Sequence, residues 1–287
     1  MNRDAVLAHI FPPIEAHYGA KELILYALST GFGTEPRDPA HLDYLYEKNL
    51  SAAPTFANVL GSPGPWMGDP RFGIQLRKIV HAEQRLILHA PLPVACHVVS
   101  RNDVMGIRDR GADAGAFLYQ RKRVEDAASG TPIASIISTL LLRGDGGCGD
   151  SGEAPAELGA LPGGAPDLSV DVKTDDISAL IYRLSGDLNP IHVDPDIAAA
   201  VGFERPILHG LATMGFACYA VLKACCGLDA ARLASMAVRF SKPVFPGENL
   251  RFDLWREGDR VRFRAVVPER DAMVLDRGLA ELHPESA

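Results

Sequence analysis

The sequence predicts an α+β protein made of two similar halves, in which a helix-forming segment is followed by an antiparallel sheet. The chain has 287 residues, and at roughly 150 residues per domain this length gives about two domains. A connector rich in Gly, Pro, Ala and acidic residues, 144–166, separates a first half, 1–143, from a second half, 167–287. Each half ends in segments with the composition or the alternation of β-strands.

The first half contains one predicted helical segment and three predicted strand segments. An apolar stretch at residues 55–60, together with its flanks, has helical character. The strand segments that follow are rich in β-branched and apolar residues, and they are 85–100, 115–124 and 132–143. They predict an antiparallel sheet at the end of this half.

The second half contains the longer helical segment, residues 208–227. Pro206 cannot lie inside a helix, so the helix is predicted to begin just after it and to end at a Gly227 C-cap. Farther on, residues 249–257 and 259–267 alternate apolar and polar side chains with period two. That alternation predicts half-buried strands.

A faint internal repeat supports the division into two halves. LILYALSTG, residues 23–31, resembles ALIYRLSGD, residues 179–187, and the alignment pairs Tyr26 with Tyr182. The second copy continues as G-D-L-N-P-I-H, residues 186–192, whereas the first has no acid or histidine at these positions. If the halves share a fold, only the second is equipped for proton chemistry.

Composition and charge exclude several functional classes. A formal net charge of −7 argues against a nucleic-acid partner, which would require a basic surface. The longest apolar run, near residues 134–142, is shorter than the roughly 20 residues of a membrane span. The N-terminal sequence lacks the pattern of a secretory signal, so we expect an intracellular protein. Because the C-terminal sequence HPESA is not an S-K-L signal, we expect a bacterial cytoplasm rather than a peroxisome.

The segment from Tyr182 to Asp194 carries the residues best suited to chemistry. It places Asp187 and His192 five residues apart among turn-forming residues. A carboxylate and an imidazole joined by such a turn can share one water molecule and move its proton. In the structural alternative, which composition alone favours, Asp187 and Asn189 stabilise the turn and His192 is an ordinary buried histidine.

The long helix is predicted to begin at His209 or Gly210. Gly210 allows a ligand to approach the backbone, and the free N–H groups of a helix N-terminus suit an oxyanion. This predicts a site that polarises a carbonyl group. The structural alternative is that Gly210 only fits a tight entry turn.

The sequence does not predict a metal site. His192, Asp194 and His209 could supply ligand atoms, but their spacing matches no tight ligand pair. Asp194 precedes Pro195, which predicts an N-cap followed by proline at the first helical position. Because an N-cap carboxylate binds backbone N–H groups, this role of Asp194 argues against its use as a metal ligand together with His192 and His209.

Two long motifs resemble a known family. Y-R-L-S-G-D-L-N-P-I-H, residues 182–192, and G-F-E-R-P-I-L-H-G-L-A-T-M-G-F, residues 202–216, resemble the hydratase 2 motif of the MaoC-like, (R)-specific enoyl-CoA hydratases. In the first half, the similarity to the eukaryotic-type enzymes includes L-Y-E-K, residues 45–48, and A-P-T-F-A-N-V-L-G, residues 53–61. It covers nearly the whole chain apart from the connector and the termini.

The resemblance implies a double hot-dog fold, in which two antiparallel sheets each wrap around a central helix. It implies that Asp187 and His192 form the catalytic pair, that Asn189 helps to position the water, and that the Gly210 N–H binds the thioester oxygen. The first half would be non-catalytic and would accommodate long or bulky acyl chains.

The resemblance also implies a set of substrate-binding residues, with Arg110 near a CoA phosphate. The family often has H-G-E-Q where this chain has H-A-E-Q, so the contact at Ala82 is the local departure. Glu47 matches an acidic position that we interpret first as a buried structural acid and second as a site residue. The implied acyl-CoA contacts are His81, Ala82, Arg110, Leu188, Pro190, Ile191 and Phe240.

The implied activity is reversible syn hydration of a trans-2-enoyl-CoA to a (3R)-3-hydroxyacyl-CoA, without a metal or redox cofactor, in a homodimer. CoA is then part of the substrate, and no membrane partner is expected. Two alternatives remain open: a hot-dog thioesterase, and a non-catalytic acyl-CoA-binding module. The candidates for contacts with CoA phosphates are Arg108, Arg110, Arg121, Lys122 and Arg123. For the last three we prefer the alternative that they face water.

Overall fold

The structure, a computed structural model, describes residues 1–284. Residues 285–287, which complete the C-terminal sequence considered above for a peroxisomal signal, lie outside the described residues. In the described part, the strands are β1 (Ile14–Tyr18), β2 (Ile79–Leu88), β3 (Cys96–Asp109), β4 (Ala116–Asp126), β5 (Pro132–Leu142), β6 (Ser151–Gly152), β7 (Leu168–Lys173), β8 (Leu233–Phe240), β9 (Asn249–Glu257), β10 (Arg260–Val267) and β11 (Ala272–Leu282).

The α-helices differ greatly in length. Over the same residues they are α1 (Arg3–Leu7), α2 (Ala20–Ser29), α3 (Pro39–Leu42), α4 (Ser178–Tyr182), α5 (Pro195–Ala200) and α6 (Gly210–Cys226). Short 3-10 helices supplement them at Pro54–Val59, Arg183–Ser185 and Pro190–His192. Across residues 1–284, no helix is both long and apolar enough to cross a membrane.

The strands form one continuous antiparallel sheet in the order β1-β3-β4-β5-β2-β8-β11-β10-β9-β7, with β6 paired to β3. Strands β1 to β5 belong to the first half, β6 lies in the connector, and the strands from β7 onward belong to the second half. The two halves therefore join where β2 pairs with β8, with Gln84 opposite Val238. We call this β2–β8 pairing the seam.

Helix α6 forms the centre of the core. Its residues are predominantly small or apolar, and most are buried, so the helix is enclosed rather than amphipathic. Gly227 ends it in the left-handed conformation at φ 56°, as a C-cap glycine does. A Cβ at Gly215 would lie 2.4 Å from a Thr30 methyl carbon. The small residue therefore lets α6 pack closely against the first half.

The predicted central helix of the first half is shorter than expected. Residues 55–60 lie in and just after the 3-10 helix Pro54–Val59, and the ten-residue α2 lies elsewhere in the half. Pro54 fits only the first turn of a helix, and Gly61 reverses the backbone at φ 58°. These two residues confine the apolar segment to about two turns of 3-10 helix.

The connector is more ordered than a solvated linker. Within it, β6 pairs with β3, and Leu158 is only 3 % exposed. The guanidinium of Arg277 donates to the Leu158 carbonyl at 3.0 Å. Most residues of the connector are exposed or partly exposed, as expected for a linker, and these contacts anchor it to β3 of the first half and to Arg277 of the second.

The two copies of the internal repeat lie against each other. Helices α2 and α4 pack together, and the rings of Tyr26 and Tyr182 are 5.7 Å apart. The alignment of these two tyrosines in the sequence thus corresponds to a contact between the halves. The segment that follows the second copy leads directly to the candidate site.

Candidate active site

The candidate site is built on a chain of short turns after α4. Gly186 reverses the backbone at φ 120°, and the Asn189 side chain caps the 3-10 helix Pro190–His192 by accepting from the Ile191 N–H at 3.2 Å. Asp194 then caps α5 by accepting from two backbone N–H groups. The segment forms short 3-10 turns rather than an α-helix because its Gly, Asn and Pro residues favour turns.

His192 is held in one orientation by the backbone. Its side chain is buried, and Nδ1 lies 2.8 Å from the Ile207 carbonyl oxygen. Since a carbonyl only accepts, Nδ1 carries the proton and Nε2 keeps its lone pair. Burial lowers the pKa of His192 below its usual 6.5. The ring is therefore neutral at pH 7 and can accept a proton at Nε2.

His209 is a partner that the sequence did not reveal. Its ring stacks on His192 with centroids 3.6 Å apart, and its Nε2 donates to the Asp187 backbone carbonyl at 3.1 Å. Burial, and then the charge of His192, lowers the pKa of His209 to about 4. His209 thus supports both members of the predicted pair from one side. The sequence signals at His209 are its place at the predicted helix start, its place in the 202–216 motif and its possible use as a metal ligand, and none of them predicts this contact.

Asp187 lies at the exposed mouth of the cluster. One carboxylate oxygen accepts from the Asn189 N–H at 3.2 Å. Ligand atoms from Asp187, His192 and His209 all lie within 4.8 Å of one another. Asp187 and Asn189 therefore stabilise the turn, as the structural alternative holds, and the same turn brings the carboxylate to the imidazole. The two interpretations of this segment are compatible.

The ring geometry does not favour a metal ion at this cluster. The two imidazoles are nearly parallel, with an interplanar angle of 23°. One nitrogen of each ring already faces a backbone carbonyl, that of Ile207 for His192 and that of Asp187 for His209, so each ring has one nitrogen left for a metal, in two nearly parallel planes. Asp194, the acid of the metal set considered above, is occupied as a cap. The absence of a resident metal stays a prediction, supported by this geometry.

Gly210 begins α6 beside these residues. The first N–H groups of a helix have no partner inside the helix, and its dipole gives that end a partial positive charge. A Cβ at Gly210 would lie 3.3 Å from the Phe240 ring. Glycine therefore keeps open a narrow space between the start of α6 and Phe240.

His81, Ala82 and Phe240 meet at the seam. The rings of His81 and Phe240 are 4.8 Å apart, and Ala82 lies in an irregularity of the β2–β5 register between His81 and Glu83. Burial lowers the pKa of His81, and the hydrogen bond that its ring donates to Gln84 and the charge of Asp187 oppose this shift. Because Phe240 also faces Gly210 at the start of α6, the seam lies beside the candidate cluster.

The other predicted binding residues lie around this centre. Leu188 and Pro190 are exposed on the loop, and Ile191 is half-buried. Arg110 is exposed after β3, with its guanidinium carbon 5.1 Å from the centre of the Phe117 ring. The strand registers place it at the same end of the sheet as His81, with β4 and β5 between their strands. Three strand spacings of about 4.8 Å separate them by roughly 14 Å across the sheet.

Comparison with known proteins gives the family of this architecture. Residues 17–144 match the MFE-2 hydratase 2 N-terminal domain, and residues 157–276 match the MaoC like domain. The chain is 36% identical over 286 residues to the enoyl-CoA hydratase ChsH3 of Mycobacterium tuberculosis, covering 98% of both chains. The chain belongs to the MaoC-like hydratase 2 family. The family resemblance predicted from the two sequence motifs is confirmed.

Solved structures agree with this assignment. A MaoC-like dehydratase from Phytophthora capsici superposes with a TM-score of 0.86 at 34% identity, covering 99% of each chain. A Mycobacterium tuberculosis protein described as a double hot-dog fold gives a TM-score of 0.57 at 15% identity, covering 95% of this chain and 94% of that one. The second likeness concerns the fold alone. The predicted α+β double hot-dog class is confirmed, with the two sheets merged at the seam.

Two expectations about charged residues of this MaoC-like chain are wrong. Glu47 is exposed at the start of the 3-10 helix Glu47–Asn49, so it is not a buried acid, and its role as a site residue stays a prediction. Lys122 is 7 % exposed rather than facing water. Its Nζ donates to the Asn58 and Leu60 carbonyls at 2.7 and 2.6 Å, because this position of β4 points inward.

Nearby arginines are engaged within the chain. Arg121 and Arg123 both pair with Asp103 at a half-exposed position. Arg108 donates to the carbonyl oxygens of Ser151 and Gly152, and so holds β6 on β3. Of the two arginines predicted for CoA phosphates, Arg110 therefore has the more accessible guanidinium.

Proposed function

We propose that this protein catalyses the reversible addition of water to a trans-2-enoyl-CoA, giving a (3R)-3-hydroxyacyl-CoA. The observation that carries the proposal is the meeting of a neutral, lone-pair-bearing His192 and the Asp187 carboxylate beside the N-terminus of α6. The enoyl-CoA hydratase name of a 36% identical, full-length relative supports the substrate class.

Water addition requires a base, a proton donor and a group that stabilises negative charge. A water held between Asp187 and His192 loses a proton to this pair as its oxygen forms a bond to C3. The C2–C3 π electrons shift toward the thioester, and the growing charge on its oxygen is stabilised by the Gly210 N–H and the helix dipole. C2 then receives a proton from the pair. One water is consumed, and the reverse sequence is dehydration.

The oxyanion donor and the acid–base pair each lower the activation barrier by an amount that can be approximated. Loss of one oxyanion donor typically costs about 3 kcal/mol of activation free energy. General acid–base catalysis contributes roughly 100-fold to 10,000-fold. The proposed steps use no metal or redox cofactor, and CoA takes part only as a portion of the substrate.

The reaction is tested with purified protein and trans-2-enoyl-CoAs of graded chain length. Loss of enoyl absorbance, with chiral analysis of the product, is expected to show the (3R)-3-hydroxyacyl-CoA. A thiol reagent run in parallel separates the alternatives. CoA release without hydration would indicate a thioesterase, and binding without either reaction would indicate a non-catalytic module. Either result would overturn the proposal.

We propose a homodimer and an intracellular location, without nucleic-acid or membrane partners; the acidic net charge of −7 supports the absence of a nucleic-acid partner. Light scattering at several protein concentrations tests the dimer. A mass equal to one chain at all concentrations would contradict it.

A further inference from the structure

The first half contributes a buried chain of polar side chains that ends at the seam. Gln84, at the centre of β2, is 1 % exposed, and Asn58, on the 3-10 helix Pro54–Val59, is 5 % exposed. Gln84 Nε2 donates to Asn58 Oδ1 at 2.8 Å, and Gln84 Oε1 lies 2.9 Å from His81 Nε2. The chain thus connects the core of the non-catalytic half to a residue at the seam.

The Asn58 end of the chain determines which group donates in each of these hydrogen bonds. Asn58 Nδ2 lies 3.7 Å from the sulfur of Met214, which is a weak acceptor and cannot donate. This contact orients the Asn58 amide with Oδ1 toward Gln84, and Gln84 must then present Nε2 to Asn58 and Oε1 to His81. Because Oε1 only accepts, the His81 ring carries its proton on Nε2. Ser138 also donates to Oε1, at 2.7 Å.

A buried lysine fixes the segment that carries Asn58. Lys122 Nζ donates to the backbone carbonyls of Asn58 and Leu60 at 2.7 and 2.6 Å. Burial of an amine without an acidic partner is costly. A neutral amine has two N–H groups, enough to satisfy both carbonyls. Lys122 thus ties β4 to Pro54–Val59 at the position where the Asn58 side chain enters the polar chain.

We propose that Gln84, Asn58 and Lys122 form a positioning relay that holds His81 as the Nε2–H tautomer, leaving Nδ1 as an acceptor for an N–H group of the acyl-CoA pantetheine arm. The inference rests on the proposed function for the identity of the ligand. It gives the first half a role in substrate recognition besides space for the acyl chain. Gln84 is a positioning residue that acts through His81.

The tautomer is measured directly on the wild-type protein. ¹⁵N NMR of histidine-labelled protein distinguishes a protonated ring nitrogen from one with a lone pair. We expect His81 as a single tautomer with its proton on Nε2. A proton on Nδ1, or a mixture of tautomers, would overturn the relay. This readout needs no catalytic activity, so failure of the proposed hydration would be recognised separately.

The functional consequence is measured with Gln84→Leu. Loss of one neutral hydrogen bond that orients His81 is expected to raise KM for an enoyl-CoA roughly 5-fold to 10-fold. We expect kcat to change less than KM, because Asp187 and His192 are untouched. Gln120→Leu is the matched control: Gln120 lies on β4 outside the relay and accepts from Trp66 Nε1. Equal KM values for wild type and Gln84→Leu would overturn the proposal.

Gln84→Glu keeps the shape of the side chain if Gln84→Leu fails to fold. A carboxylate still accepts from His81 but cannot donate to Asn58, and its charge favours the protonated imidazole. We expect the NMR titration midpoint of His81 to rise relative to wild type. An unchanged midpoint would show that the side chain at position 84 does not govern His81.

Discussion

The two repeats begin alike and diverge after a matched tyrosine. After Tyr26, the first repeat continues into Phe32, which is fully buried and packs on Tyr44 with ring centroids 4.3 Å apart. After Tyr182, the second repeat continues into exposed Asp187 and then His192. The same starting framework is closed by aromatic packing in one half and left open to solvent in the other. The candidate site lies in the second repeat, where no aromatic packing covers the turn and solvent can reach Asp187.

The helical segments of the two repeats also differ, both in length and in the groups that they present to the site. In the second repeat, α6 has 17 residues and presents its N-terminus to the cluster. In the first, the matching apolar segment is a six-residue 3-10 helix whose Asn58 points into a polar chain. The first half therefore supplies side-chain hydrogen bonds at the seam, and the second supplies backbone N–H groups.

Removal of the acid or the imidazole of the second repeat has the largest expected effect. Asp187→Asn and His192→Ala should each lower kcat for hydration roughly 100-fold to 10,000-fold, because proton transfer is lost. Circular dichroism should show an intact fold. Asp171→Asn, an exposed acid on β7, is the matched control and should retain activity. Unchanged turnover in either site variant would remove that residue from the mechanism.

Gly210→Ala tests the backbone contribution of the second repeat. The new Cβ would lie 3.3 Å from the Phe240 ring and narrow the oxyanion position. We expect kcat/KM to fall roughly 10-fold to 100-fold, as small misplacements of reacting groups do. Gly163→Ala is the control, since a Cβ there meets nothing within 4 Å. Full activity of Gly210→Ala would show that this glycine only shapes the helix entry.

The pH profile tests whether His192 works as a neutral base. Burial lowers its pKa below 6.5, and the charge of Asp187 opposes the shift. kcat/KM should therefore be constant near pH 7 and fall with decreasing pH, about tenfold per unit below a midpoint under 6.5. The pKa of His209, about 4, keeps that ring neutral over most of this range. A midpoint above 6.5 would contradict the assigned role.

Lys122→Met has the smallest expected effect on catalysis and tests the core of the first repeat. Burial lowers the pKa of Lys122 to about 7, from 10.5 when unfolded. Between pH 7 and pH 10.5 the Lys122 amine is protonated in the unfolded chain and mostly neutral in the folded one, so the unfolded chain binds more protons. The free energy of unfolding of wild type should therefore rise with pH, by at most about 1.4 kcal/mol per pH unit. Relative to wild type, the Met variant should lack this rise, which denaturant titrations at pH 7 and 9 measure.

The control for this comparison is Lys48→Met, because Lys48 is exposed. It should keep the wild-type dependence on pH. Equal slopes for wild type and Lys122→Met would show that the buried amine stays charged throughout.

Local features of the fold and site were predictable from the sequence. Asp194 and Pro195 start α5, and Gly227 ends α6, because caps and prolines act on neighbouring backbone groups. The turn that carries Asp187 and His192 follows from its own residues in the same way. The family motif then related this turn to chemistry.

Features that depend on distant contacts were not predictable in this way. His209 reaches the Asp187 carbonyl across 22 residues, and Lys122 finds the Asn58 carbonyl across 64. The short Pro54–Val59 helix and the packed connector likewise depend on surfaces supplied by other elements. A basic side chain on a strand usually faces water, and only tertiary packing reverses that expectation for Lys122.

The shared sheet also constrains how this chain can be divided. If the second half were expressed alone, β8 would lose β2 and expose a row of backbone N–H and C=O groups. Two such fragments could satisfy those groups by aligning their β8 strands antiparallel about a twofold axis. Splitting the gene at the connector would then yield either a self-paired fragment or, with both pieces present, reconstitution by strand complementation.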